Sequence, residues 1–191
     1  MMMIEQFSHR SSSIRCAIAG ALACLVGYGV SAGAQAAATS FGSWEYAVNR
    51  DAEKRSEAVY ARTRSDDGAY LWLACTKVFD EEHPAAISVT ATVAQRQFLG
   101  KSSPRGRSTV YWFDDGSPEV SNWTYRDHYG QMSGGEPVKG FLEKLTDAET
   151  LVVELSDYRL DRRPSKFKLN REDTRSVADR FRKDCGALPG T

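Results

Sequence analysis

Along this chain, apolar and polar positions alternate with a period of two over one short stretch after another. The clearest stretch is Tyr70-Leu71-Trp72-Leu73-Ala74-Cys75. Successive side chains of a strand point to opposite faces, so Leu71, Leu73 and Cys75 share one face and Tyr70 and Trp72 the other. The same alternation starts at Gly42, with Trp44, Tyr46 and Val48 opposed to Glu45, Ala47 and Asn49. A charged run over 50–56 predicts a turn, residues 57–63 a second strand, and Asp66-Asp67-Gly68 a hairpin, because Asp-Gly readily supplies positive φ. Further strands are predicted over 86–99, 109–114, 120–125, 129–133, 151–155 and 166–169. Between two of them, Gly100 to Arg107 is a basic connection whose glycines and serines predict flexibility.

Two segments break the period of two. Pro137, at a first-turn position, is followed by Val138, Phe141, Leu142 and Leu145, the spacing of one apolar helical face. Near the C-terminus Asn170 can cap a helix with Glu172 and Asp173 in its first turn, Arg182 and Lys183 late, and Gly186 to end it. Val177, Phe181 and Cys185 form its apolar stripe. Seven to nine short strands with two helices predict a mainly β, α+β fold. The expected form is an antiparallel sandwich or open barrel with the C-terminal helix packed on the sheet.

Composition changes this picture at the N-terminus. Arg10 and Arg15 precede an apolar run from Cys16 to Val30, and small residues follow at 31–36. That order is a secretory signal peptide, with cleavage expected after Ala34 or Ala36. The run is shorter than the roughly 20 residues a spanning helix needs, so no stable transmembrane span is expected after cleavage. Residues 1–36 are therefore assigned to the signal and 37–191 to one exported domain, periplasmic or secreted. The whole chain has a formal net charge of zero. Losing Arg10 and Arg15 against Glu5 leaves it near neutral, which argues against nucleic acid as a partner. Cys16 and Cys24 leave with the signal, and Cys75 and Cys185 are expected to form one disulfide in an oxidising compartment.

The candidates for chemistry are thin. His83 lies in the polar loop Glu81-Glu82-His83-Pro84, and His128 follows Asp127, although adjacent strand residues face opposite ways. Two cysteines and two histidines without short spacings do not predict a zinc site, and Asp114-Asp115-Gly116 reads as a turn more than a calcium loop. No catalytic residue, metal or cofactor is assigned. The aromatic residues admit two readings, core or surface, and the candidate binding surface is Tyr70, Trp72, Trp123 and Tyr125. Arg159, Arg162, Arg163, Lys166, Lys168 and Arg171 are a candidate basic edge.

Taken in order, the landmarks are a Trp-containing first strand, Leu71-x-Leu73-x-Cys75, Val110-x-Trp112-x-Asp114, Trp123, Phe141-Leu142-x-x-Leu145, Leu151-x-Val153-x-Leu155, Phe167-x-Leu169 and a last helix bearing Cys185. The set resembles small exported bacterial β-sandwich proteins of the kind found as type VI secretion-associated accessory proteins. More weakly it is similar to the invasion-associated locus B family, whose members generally carry further mid-chain cysteines. Neither resemblance implies a catalytic residue set. The function expected is non-catalytic binding of a protein or cell-envelope component. The alternatives are a small envelope hydrolase using His128 with a nearby carboxylate, and a hydrolase inhibitor presenting the loop from Gly100 to Arg107.

Overall fold

A computed structural model describes residues 38–80, 82 and 84–186. The segment read as a signal with its expected cleavage positions, Cys16 and Cys24, and the loop residues Glu81 and His83 lie outside the described residues. The strands are β1 (Thr39–Phe41), β2 (Trp44–Asp51), β3 (Ser56–Arg64), β4 (Tyr70–Val78), β5 (Ala86–Ala94), β6 (Arg107–Phe113), β7 (Glu119–Arg126), β8 (Tyr129–Ser133), β9 (Thr150–Ser156) and β10 (Arg162–Lys168). The helices are α1 (Gly135–Asp147) and α2 (Arg171–Cys185).

All ten strands join one antiparallel sheet in the order β1-β2-β3-β4-β5-β8-β7-β6-β9-β10. Short turns make β1 to β5 a meander. The β5–β6 connection then carries the chain past two strand positions, and a second meander returns β8 to the side of β5. The sheet is curled. Ser165 of β10 donates to Gln95 at the end of β5 (3.4 Å), and Lys168 pairs with Asp66 in the β3–β4 turn (2.5 Å), although β5 and β10 stand five places apart in the sheet.

Ten strands exceed the seven to nine expected. Three-residue β1 is too short to show an alternation, and the long strand expected over 86–99 ends at Ala94. Beyond that point the polar Arg96 and Gln97 leave the sheet and only Leu99 turns back into the core, fully buried. Of the two expected forms, sandwich or open barrel, the strands take the open one, a single curled sheet. Its concave face is the core, with cross-strand neighbours such as Val59, Cys75 and Val89, or Ala61, Leu73, Ala91 and Met132, in register and buried.

Both helices lie on that face. In α1, Val138, Phe141, Leu142 and Leu145 are buried, and each such side chain removed from water contributes roughly 1.5 to 3 kcal/mol. Phe141 packs against Tyr111, Phe113 and Trp123 at ring-centroid distances of 5.5, 5.3 and 6.4 Å. In α2, Asn170 caps by accepting from the Asp173 amide (3.0 Å), and Val177, Phe181 and Cys185 are buried. Covalent and hydrogen-bonded ties fasten α2 to the sheet. Cys185 is disulfide-bonded to Cys75 of β4 with Cα atoms 5.9 Å apart, Trp44 Nε1 donates to Thr174 (3.1 Å), and the Tyr46 hydroxyl donates to Asp184 (2.8 Å). Among the described residues no helix is long and apolar enough to cross a membrane.

Candidate functional site

Because the inner face of each strand is filled with branched and aromatic residues, the outer face of β2, β3 and β4 displays whatever the alternation leaves over. One cross-strand row reads Glu45, Arg62, Trp72, Thr92 and Gln131, and the next reads Ala47, Tyr60, Ala74 and Thr90. The small residues of the second row leave the rings of Tyr60 and Trp72 standing above their surroundings. Arg62 organises them. Its guanidinium donates twice to one Glu45 carboxylate oxygen (2.8 and 2.6 Å) and lies 4.9 Å from the Trp72 ring centroid and 5.7 Å from that of Tyr70. Arg64 also lies over Tyr70 at 5.4 Å, and Asn49 donates to the Tyr60 hydroxyl (2.7 Å). A cleft of about 230 Å³ opens between Ala38, Glu45, Ala47, Tyr60, Arg62 and Trp72. Chemically this is a half-buried aromatic platform with a carboxylate, a guanidinium and a phenol at its rim, suited to stacking and hydrogen bonding.

The four residues expected to form the binding surface divide. Tyr70 and Trp72 face outward and are half-buried, whereas Trp123 and Tyr125 are fully buried. The register puts Tyr125 in the inner row of Leu71, Val93 and Gly130, and the opposite face of β7 carries the polar Asn122, Thr124 and Arg126. The Tyr125 hydroxyl bonds Thr109 Oγ1 (2.8 Å) and accepts from the Ser156 amide (3.2 Å). Opposite it, a Cβ on Gly130 would sit 2.7 Å from a terminal methyl of Leu155, which would have to shift.

The remaining candidates turn out to be struts and turns. His128 is exposed in the β7–β8 turn, its Nδ1 3.1 Å from the Gln97 carbonyl oxygen, and its hydrogen-bond partner is thus a carbonyl and not a carboxylate. Asp114 accepts from the backbone amides of Glu149 (2.9 Å) and Thr150 (2.7 Å), tying the end of β6 to the start of β9. Burial opposes its charge, but those bonds outweigh it and hold the carboxyl below its ordinary value. The disulfide consumes both described cysteines, and no group of three or more His, Cys, Asp or Glu among the described residues could hold a metal ion.

The segment from Gly100 to Arg107, expected to be flexible, is bonded along its length. Ser102 donates its amide to the Tyr125 carbonyl (3.1 Å), and its hydroxyl accepts from the Tyr125 amide (2.9 Å). Gly106, at φ 81°, passes so close that a Cβ would meet the Trp123 carbonyl oxygen at 2.7 Å. Arg107 lies over the Tyr125 ring (4.5 Å) and donates to the carbonyls of Leu99, Ser156 and Asp157. Along the candidate basic edge, Arg162 pairs with Glu154, Arg163 with Asp157, Lys168 with Asp66 and Arg171 with Glu149. That edge is largely neutralised.

Sequence reasoning missed Glu45, Tyr60 and Arg62. The signal was present in β3, where Ala58, Tyr60, Arg62 and Arg64 alternate with Val59, Ala61 and Thr63, but without the register nothing placed them beside Trp72. No family model matches the chain, and neither a curated protein nor a solved structure matches it.

Proposed function

We propose that this chain is a non-catalytic exported protein, resident in the periplasm or secreted, that binds a protein or cell-envelope component through the outer face of β2, β3 and β4. The observation that carries the reading is the Trp72 platform. A large indole stands on the solvent side of a sheet whose core is already closed, and Arg62 and Glu45 hold polar groups beside an open cleft. Aromatic and arginine side chains in such settings carry a disproportionate share of binding energy. The disulfide supports an oxidising compartment. An accessory factor of a secretion or envelope system is the form of this reading that the resemblance implies.

The test compares the disulfide-bonded protein with Trp72→Ala and Tyr60→Ala variants for retention on isolated cell-envelope fractions and on immobilised exported proteins. Retention lost in both variants, with the melting temperature nearly unchanged, is the expected result. Equal retention by all three proteins removes this face as the site, and turnover of an envelope substrate by the wild type removes the non-catalytic reading.

A further inference from the structure

Away from the Trp72 platform, three connections converge at one end of the sheet: the β5–β6 segment, the β7–β8 turn and the β9–β10 turn. They present Phe98, Tyr158 and Leu160 to solvent at 53, 57 and 71% exposure. Phe98 lies 6.3 Å from the Tyr158 ring and 5.8 Å from the His128 ring, so residues from all three connections make one patch.

The β9–β10 turn is built to hold its part of the patch still. Asp157 and Leu160 close it through Leu160 N to Asp157 O (3.0 Å) and Asp157 N to Asp161 O (3.0 Å). The Asp157 carboxylate accepts from the amides of Arg159 and Asp161, and Arg163 clamps it from the side (2.9 Å). Leu160 adopts φ 69°, at a position of such a turn that glycine ordinarily fills. A leucine here is strained and exposed, and neither property serves the fold.

The surroundings are basic. Lys101 and Arg105 are exposed on the connection that carries Phe98, and Arg159 stands between Tyr158 and Leu160. Of the acids on these connections, Asp127 lies 3.9 Å from Arg126, and Asp161 shares Arg163 (3.6 Å) with Asp157. Apolar side chains at the tip of a rigid turn with cations around them suit a surface that is anionic outside and apolar just beneath. We infer that this end of the sheet docks on an anionic phospholipid bilayer, Leu160 and the Phe98–Tyr158 pair entering the headgroup–acyl boundary while Lys101, Arg105 and Arg159 meet the phosphates.

The experiment is co-sedimentation of the exported chain, residues 37–191, with vesicles of phosphatidylglycerol and phosphatidylethanolamine, against vesicles of phosphatidylcholine alone. Binding is expected to the anionic vesicles only and to weaken as salt rises. Leu160→Gly is the decisive variant. It relieves the positive-φ strain, so the unfolding midpoint should rise, while the partition coefficient falls roughly tenfold with the lost side chain. Removing Lys101 or Arg105 as serine should cost about fivefold each. Val120→Ser deletes an equally exposed apolar side chain elsewhere (69%) and should leave binding unchanged. Absence of wild-type binding to anionic vesicles, equal binding to both vesicle types, or full binding by Leu160→Gly overturns the inference, the first of these leaving the patch as a protein contact.

Discussion

Tyr70 with Trp72 on β4 and Trp123 with Tyr125 on β7 are the same motif, two large aromatics spaced two residues apart on a strand, yet one pair faces solvent and the other seals the core. What separates them is the company on the opposite face. On β4 the alternate positions are Leu71, Leu73 and Cys75, which claim the interior and push the aromatics out. On β7 they are Asn122, Thr124 and Arg126, which belong in water and leave the interior to Trp123 and Tyr125. Alternation states which residues share a face, and only the competition between faces says which one is buried.

The contrast is broken most severely from the inner side. Cys75 shares a strand with Trp72 and faces the other way, and its bond to Cys185 closes a loop spanning a sequence separation of 110. Reducing that bond should lower stability by about 4 to 5 kcal/mol in the chain-entropy model, read from denaturant midpoints with and without reductant. Trp123→Ala should cost about 3 to 5 kcal/mol through the cavity it leaves beside Phe141 and Tyr111. Its indole N–H is buried without a partner among the described residues, so Trp123→Phe should recover most of that loss. If Trp123→Ala were no worse than Trp72→Ala, the assignment of inner and outer faces would be wrong.

Tyr125→Phe isolates the polar part of the inner pair. The hydroxyl serves both Thr109 and the Ser156 amide. Its loss leaves two groups short of a partner and should cost about 1 to 2 kcal/mol. Alkaline titration reaches another inner tyrosine. Burial, followed by the charge of Glu119 and a hydrogen bond to it, pushes Tyr111 up to about 12. An unfolded tyrosine ionises near 10, so stability is undiminished below that value and falls as pH rises from about 10 towards 12. Tyr111→Phe should flatten that slope, as should Tyr46→Phe, whose hydroxyl is likewise pushed up by burial and by Asp184.

Much of the fold was legible because its signals are local. The faces of β2, β4 and α2 followed from spacing, the Asn170 cap from residue type, and the pairing of Cys75 with Cys185 from two cysteines left for an oxidising compartment. What the sequence hid depends on distance. The register that sets Tyr125 in one cross-strand row with Gly130, Val93 and Leu71 arises from pairing β8 with β5 and β7 with β8, and the first of these joins residues far apart in the chain. The stiffness of the connection from Gly100 to Arg107 comes from Ser102 lying along Tyr125, and no composition rule foresees that partner. Two members of the candidate binding face, Tyr70 and Trp72, were visible in the sequence. Tyr60, Arg62 and Glu45 joined it only once the register placed Arg62 opposite both Glu45 and Trp72.

The smallest expected effect on stability is the most informative about the outer pair. Trp72→Ala removes a half-buried ring whose chief partner is the Arg62 guanidinium, an interaction of roughly 0.5 to 1 kcal/mol at an exposed site. Arg62 keeps its two hydrogen bonds to Glu45, and the core beneath β4 is closed by Leu71 and Leu73, so no cavity forms. Denaturation should therefore shift by about 1 kcal/mol or less, whereas binding through the platform should be lost. A loss of 3 kcal/mol or more would mean that Trp72 is needed to hold β2, β3 and β4 together. The platform would then be a second, minor core exposed at the sheet's edge, and its aromatic residues would no longer argue for a partner.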